Sequence, residues 1–213
     1  MREIILASGS PRRKELLEQI GIPFQIKVSR CEERINQKEP EEIVKELSAQ
    51  KAEAVAKTVG RGIILGADTI VWLNGRVMGK PKDREDARQM LNALQGRGHS
   101  VFTGVTLIEK GCCGTDEKED GKDREDSRMG KIRETGGEER VLSFAVETRV
   151  FVHQMSEAEI ESYLDTGDPF DKAGSYGIQG PFAAYVDGIE GDYNNVVGLP
   201  VARVYQELKK IVK

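Results

Sequence analysis

The chain has 213 residues, 38% of them hydrophobic and 32% charged, which is enough to bury a real core beneath a highly charged surface. The formal net charge of −4 argues against a general nucleic-acid or membrane-surface binder. No apolar run approaches the ~20 residues of a membrane span, and the apolar stretch in "MREIILASGSP" is too short for a secretory signal.

"EIILAS" reads as a short buried strand ending in small residues. "SPRRKELLEQIG" follows as a helix, with Ser10 as N-cap, Pro11 at the first helical position and Gly21 as the stop. "PFQIKVS" alternates like a second strand. "PEEIVKELSAQKAEAVAKTVG" is a long amphipathic helix with acids in its first turn. "GIILGADTIVWLNG" is expected to be a strand, a break at "GAD" and a second apolar stretch. "NGRVMG" is a tight hairpin turn with a short return strand. "DREDARQMLNALQG" is a helix capped by Asp83 and stopped by Gly96. "HSVFTGVTLIE" and "VLSFAVETRVFVHQM" are strands. Between them, Lys110 to Arg140 is nearly all charge, Gly and Ser, and is expected to be a long solvated hairpin loop with little to bury. "SEAEIESYLDTG" carries a capping box, Ser156 with Glu159. Short strands surround "AAYVDGIEG", and "PVARVYQELKKIVK" is a closing amphipathic helix. The pattern predicts an α/β fold with a mixed sheet, as a single domain over residues 1–213.

Cys31, Cys112 and Cys113 form neither a disulfide framework nor a zinc spacing, so a reducing cytoplasm is the expected setting. With only His99 and His153 available, a His-based triad or metal cluster is a poor fit. The chemistry lies elsewhere. A strand, a Ser-Gly-Ser loop and a helix N-terminus can bind an anion through backbone N–H groups, with Ser8 and Ser10 adding hydroxyls. Arg12 and Arg13 oppose the helix dipole there, a cost of about 0.3–1 kcal/mol each at exposed sites. An anion between them and the helix end would account for them; solvated arginines beside a plain cap are the alternative. Asp68 interrupts an apolar strand, which is costly unless it is paired, ligated or facing a cleft. Glu32 and Glu33 follow the second strand. Carboxylates and cations together describe metal-assisted phosphate chemistry. Lys80, in "GKPKD", and Gln179, in "DKAGSYGIQG", are further candidates. Alone, the lysine reads as solvated surface, whereas the Gln179 amide is of interest because it both donates and accepts.

Taken in order, "ILASGSPRRKELL", "CEE", "LGADTIVWLNGRVMGKPKD", "HSVFTGV", "DKAGSYGIQG" and "NNVVGLP" resemble the Maf family of nucleotide pyrophosphatases, from Ile4 to about Leu208 with the charged insertion as the exception. The resemblance implies a mixed central sheet flanked by helices, in two lobes around a substrate cleft. It implies hydrolysis of a nucleoside triphosphate to the monophosphate and pyrophosphate, dependent on a divalent cation, Mg²⁺ with Mn²⁺ or Co²⁺ as alternatives. Asp68 would be the catalytic base and, with Glu33, a metal ligand. Arg12, Thr69 and Gln179 would be tied to specificity. Ser8, Ser10, Arg13, Lys51 and Lys80 would bind phosphate. "SGSPRR", "GADT" and "AGSYGIQG" resemble the dTTP- and UTP-directed branch; the branch acting on 7-methyl-GTP shows "SPWR", "GSDQ" and "AGSFKSEG". Gln179 would accept from N3–H of thymine or uracil and donate to a carbonyl, whereas cytosine lacks that donor. A cleaner of modified pyrimidine nucleotides and a nucleotide sensor in cell division, without turnover, are the rival readings. A homodimer is compatible, with neither nucleic acid nor membrane as partner.

Overall fold

The computed structural model describes residues 2–111, 131–135 and 139–211. The first strand, β1 (Ile4–Leu6), is wholly buried. It leads through Ala7–Ser10 into α1 (Pro11–Gln19), which buries Leu16 and Leu17. β2 (Phe24–Ile26) covers only three residues of the alternating stretch and is largely exposed at the sheet margin. α2 (Pro40–Ala56) starts at Pro40 and has Glu41 and Glu42 in its first turn, where they complement the helix dipole.

β3 (Gly62–Leu73) runs unbroken through Gly66, Ala67 and Asp68, contrary to the expected interruption. Asp68 does not break the strand because its backbone still pairs with Gly104 of β5 (Gly98–Lys110), and its charge is met from outside the sheet. Asn74 and Gly75, both at positive φ, turn the chain into β4 (Arg76–Met78). Asp83 accepts from the Asp86 backbone N–H to start α3 (Arg84–Leu94). The segment between β5 and β7 (Glu139–Val152) is not a plain loop. It contains β6 (Lys131–Thr135), antiparallel to β7. Ladder hydrogen bonds are made by the backbone, so a segment with few apolar residues still adds as an edge strand. The rest of the insertion, including Cys112 and Cys113, lies outside the described residues. The capping box of Ser156 and Glu159 opens α4 (Glu157–Asp165). β8 (Val186–Glu190), α5 (Tyr193–Val197) and α6 (Val201–Ile211) complete the described chain.

The eight strands form one mixed sheet in the order β2-β1-β3-β5-β7-β6, with β4 on β3 and β8 on β7. Alternate residues of β3 face opposite ways. Ile64 and Ile70 face α2, whose Ile43, Val44, Leu47, Ala52 and Val55 cover that side of the sheet. Ile63, Leu65 and Ala67 pack with α1, α5 and α6 on the other side. Further along that same side, Val71 packs with α3 and α4. Two core clusters therefore divide one face between them.

α2 approaches the sheet unusually closely. A Cβ at Gly66 would collide with the Ser48 carbonyl oxygen, and one at Gly104 with that of Val44. Both positions are glycine because the helix backbone occupies the space of a side chain. The Ser48 hydroxyl, 2.9 Å from that of Thr106, ties the contact.

Candidate functional site

β1 and β4 share one edge of β3. β1 pairs with Ile63–Leu65, and the Ala7 N–H adds one bond to Leu65. β4 pairs with Val71–Leu73. Among the described residues no strand covers 66–70 on that edge. This gap opens beneath the Ala7–Ser10 loop and gives access to Asp68 on one face of β3 and Thr69 on the other.

On the α2 face, the Lys51 ammonium pairs with the Asp68 carboxylate and lies 3.1 Å from Glu33. Asp68 is 13% and Lys51 15% exposed at the side chain, so this pair is screened less than a surface one. Glu33 is half-exposed, on the segment that links β2 to α2. Glu32 points away to Arg34.

On the opposite face, the two arginines of α1 part company. Arg13 is buried. Its Nε donates to the Gly198 carbonyl at 2.8 Å, and its terminal nitrogens donate to the Ser8 and Thr69 hydroxyls at 3.1 and 3.2 Å. Burial pulls this guanidinium below the usual arginine range, with Asp68 opposing the effect and Arg12 adding to it. Thr69 contacts Thr103 at 2.9 Å, and Thr103 donates to the Asn195 carbonyl at 2.9 Å. That fixes the polarity: Thr69 accepts from Arg13 and donates to Thr103. Asn195 is itself buried and donates to the Val101 carbonyl and to Thr148. Arg12 instead reaches across the cleft to Asp171 at 3.4 Å. Partial burial pushes the Asp171 carboxyl up, and the cations Lys172 and Arg12 outweigh this to hold it below the usual range.

Ser10 occupies the N-cap position of α1 without a side-chain cap bond; its N–H donates to Ser8. Lys80 is exposed just beyond β4, and Gln179 is exposed on the loop after Tyr176. Neither side chain has a partner among the described residues. Ser10, Arg12, Arg13, Glu33, Lys51, Asp68, Thr69, Lys80 and Gln179 line one cleft of about 760 Å³. Ser8 stands behind Arg13 and does not line it. Val71, Val77, Met78 and Val101 give the cleft an apolar wall.

Asp68 and Glu33 both contact the one Lys51 ammonium, so they can address a single cation with hard oxygen donors. No group of three or more His, Cys, Asp or Glu side chains among the described residues forms a metal site. This donor set suits Mg²⁺ in its usual mode, in which one or two carboxylates are completed by substrate phosphate oxygens and water. It does not suit a closed protein cage.

The sequence reading missed Thr103 and Asn195, and the glycine seat beneath α2. A lone Gly inside an apolar strand was the available signal for the last, in "LGADT" and "FTGV".

The chain is similar to known proteins along nearly its whole length. A family model described as Maf-like protein matches residues 3–211. A relative from Agathobacter rectalis, named dTTP/UTP pyrophosphatase, is 47% identical over 99% of this chain and 98% of its own length. One from Bacillus cytotoxicus with the same name is 45% identical over 99% and 96%. Among solved structures, a nucleoside-triphosphatase / dITP/XTP pyrophosphatase from Mycobacterium abscessus covers 72% of this chain and 75% of its own, at 13% identity and a TM-score of 0.38. Among the described residues no helix is long and apolar enough to cross a membrane.

Proposed function

The chain belongs to the Maf family, and from that premise we propose that it hydrolyses dTTP and UTP to the monophosphate and pyrophosphate in the cleft at the β3 edge. One observation carries the reading. Asp68 shares a cleft with Arg12, Lys51 and Lys80 and with the amide of Gln179, which has no partner among the described residues. A carboxylate among cations suits phosphoanhydride hydrolysis, and a free primary amide suits a base edge that both donates and accepts.

In the proposed reaction a water oxygen attacks the α-phosphorus. The bond from that phosphorus to the bridging oxygen breaks, and the electron pair leaves with pyrophosphate. The Asp68 carboxylate takes the water proton. Lys80 and Arg12 neutralise the charge that grows on the leaving group. Lys51 exchanges part of its contact with Asp68 for phosphate oxygen. Arg13 has three of its N–H groups committed to Ser8, Thr69 and Gly198, so it holds the loop and Thr69 in place, and its full positive charge, unneutralised by these uncharged acceptors, favours the phosphates in the cleft it lines. A divalent cation, held by Asp68 and Glu33 with the substrate's own oxygens, would supply charge neutralisation and acidify water.

Pyrophosphate release from dTTP, UTP, dCTP and 7-methyl-GTP tests the activity directly. Gln179→Ala is expected to lower kcat/KM for dTTP and UTP by about 10–100-fold, the value of two lost hydrogen bonds, and to change the poor substrates far less. Equal loss on all four would remove Gln179 from base reading.

A further inference from the structure

The loop that carries Gln179 is held by groups that the reaction scheme does not use. Asp168 follows α4 and opens the 3-10 turn Asp168–Asp171. Its Oδ2 accepts from the Tyr163 hydroxyl at 2.6 Å, and its Oδ1 accepts from Lys172 Nζ at 3.0 Å. The Tyr163 hydroxyl in turn accepts from the Gly177 N–H at 3.3 Å, two residues before Gln179. Lys172 also donates to the Asp168 carbonyl at 2.7 Å and to Asp171 Oδ1 at 2.6 Å. All three ammonium hydrogens are thus engaged. Lys172 lines the cleft, yet it is not free to bind phosphate.

The other end of the loop is held separately. The Gly174 N–H donates to the Gly79 carbonyl at 3.0 Å, adjacent to Lys80. Ser175, fully buried, takes φ of +60°, a conformation uncommon for a residue other than glycine and one that the surrounding structure must hold in place. The loop is therefore built in a defined shape rather than left slack. Its two ends are attached at Gly79 near the phosphate side and at Tyr163 with Asp168 near Gln179, and between them the buried Tyr176 hydroxyl lies 2.7 Å from His99 Nε2.

We propose that Asp168, which lines the same cleft but has both carboxylate oxygens engaged by Tyr163 and Lys172, is the positioning residue that sets where Gln179 meets the base, and so determines selectivity through Gln179. The proposal rests on the reading of Gln179 as the base-recognising group. Asp168 acts in two ways. Its carboxylate orients the Tyr163 hydroxyl so that an oxygen lone pair faces the Gly177 N–H. It also keeps Lys172 engaged, so that this lysine does not attract a phosphate into the base end of the cleft.

Tyr163→Phe removes one oxygen and keeps the ring against Phe182, whose centroid lies 5.0 Å away. The KM for dTTP should rise by about 3–10-fold, the effect of one hydrogen bond, with kcat within about twofold. Selectivity for dTTP over dCTP should fall by the same factor. Asp168→Asn, nearly isosteric, should move selectivity in the same direction while it weakens the Lys172 contact. Gln179→Ala is measured alongside. If Gln179→Ala lowers selectivity and both other variants, folded by their thermal melts, leave it unchanged, the positioning role is overturned and the base-reading role stands. If Gln179→Ala itself loses activity equally on all nucleotides, the base-reading role fails and this proposal fails with it. A loss in kcat alone for folded Tyr163→Phe or Asp168→Asn, with KM and selectivity intact, also overturns it.

Discussion

Arg12 and Arg13 are neighbours with the same side chain at the same unfavourable end of a helix, and they do different work. The dipole cost for each is about 0.3–1 kcal/mol at an exposed site. A hydrogen bond from a charged group contributes about 1.5–3 kcal/mol, so the three bonds of buried Arg13 outweigh its share easily. Arg12, with one long contact to Asp171, has no such compensation and stays available to a ligand. From the residues alone both read as cations near a phosphate-sized loop, and the family resemblance ties Arg12 to specificity and Arg13 to phosphate; the anchoring of Arg13 on Gly198, far along the chain, was not legible. Asp68 was legible because an acid inside an apolar strand needs a reason. Lys51 is identified only through the family resemblance, as a phosphate binder, and its pairing with Asp68 was not legible, because one lysine on a charged helix face resembles every other. Asp68→Asn should cut turnover by about 10²–10⁴-fold, the usual value of a general base. Nucleotide affinity should change only a few-fold, since Lys51, Lys80 and Arg12 remain. Pyrophosphate release together with equilibrium nucleotide titration tests this, and a wild-type rate would dismiss Asp68 as the proton acceptor.

At the scale of elements, the glycine seat sets the reach of Lys51. Gly104 lies directly across from Asp68 in the ladder, and the missing Cβ lets α2 settle on the sheet at this point. Gly104→Ala should lift α2, destabilise the fold by about 1–3 kcal/mol through overpacking, and weaken the Lys51–Asp68 pair. Urea unfolding should show the first effect. A kcat lower than wild type in the fraction that remains folded should show the second. Full stability would mean the helix shifts without cost. Elements with local signals were legible from sequence: Asp83 and the Ser156–Glu159 box mark helix starts, and Asn74-Gly75 marks the hairpin. The continuity of β3 and the existence of β6 were not. Both are decided by partners distant in sequence, β5 for one and β7 for the other, and no local pattern encodes them.

Over the whole molecule, burial also sets acid tolerance. His99 lies at the start of β5 with Nε2 2.7 Å from the Tyr176 hydroxyl, and burial pulls its pKa down to about 4. The unfolded chain takes up this proton near pH 6.5, whereas the native one does so only near 4. The neutral, native form is therefore fully favoured above pH 6.5, and stability falls as pH drops from 6.5 towards 4, by up to about 3 kcal/mol from this group. Urea midpoints between pH 4.5 and 7.5 should show that decline, and His99→Gln should flatten part of it. An unchanged slope in the variant would assign the decline to other groups.

Arg13 is anchored to the carbonyl of Gly198 across 185 positions of chain. That distance carries a consequence for biosynthesis. β1, α1, α2 and β3 can be translated and begin to pair while the ribosome is still reading codons for the second half. Until Gly198 clears the exit tunnel, however, the buried guanidinium has no acceptor on that side, and Thr69 lacks the Thr103–Asn195 relay that orients it. A nascent or prematurely terminated polypeptide would carry Asp68 and Lys51 without an assembled cleft. Assembly of the cleft thus waits on the segment around Gly198, which supplies the last acceptor for Arg13.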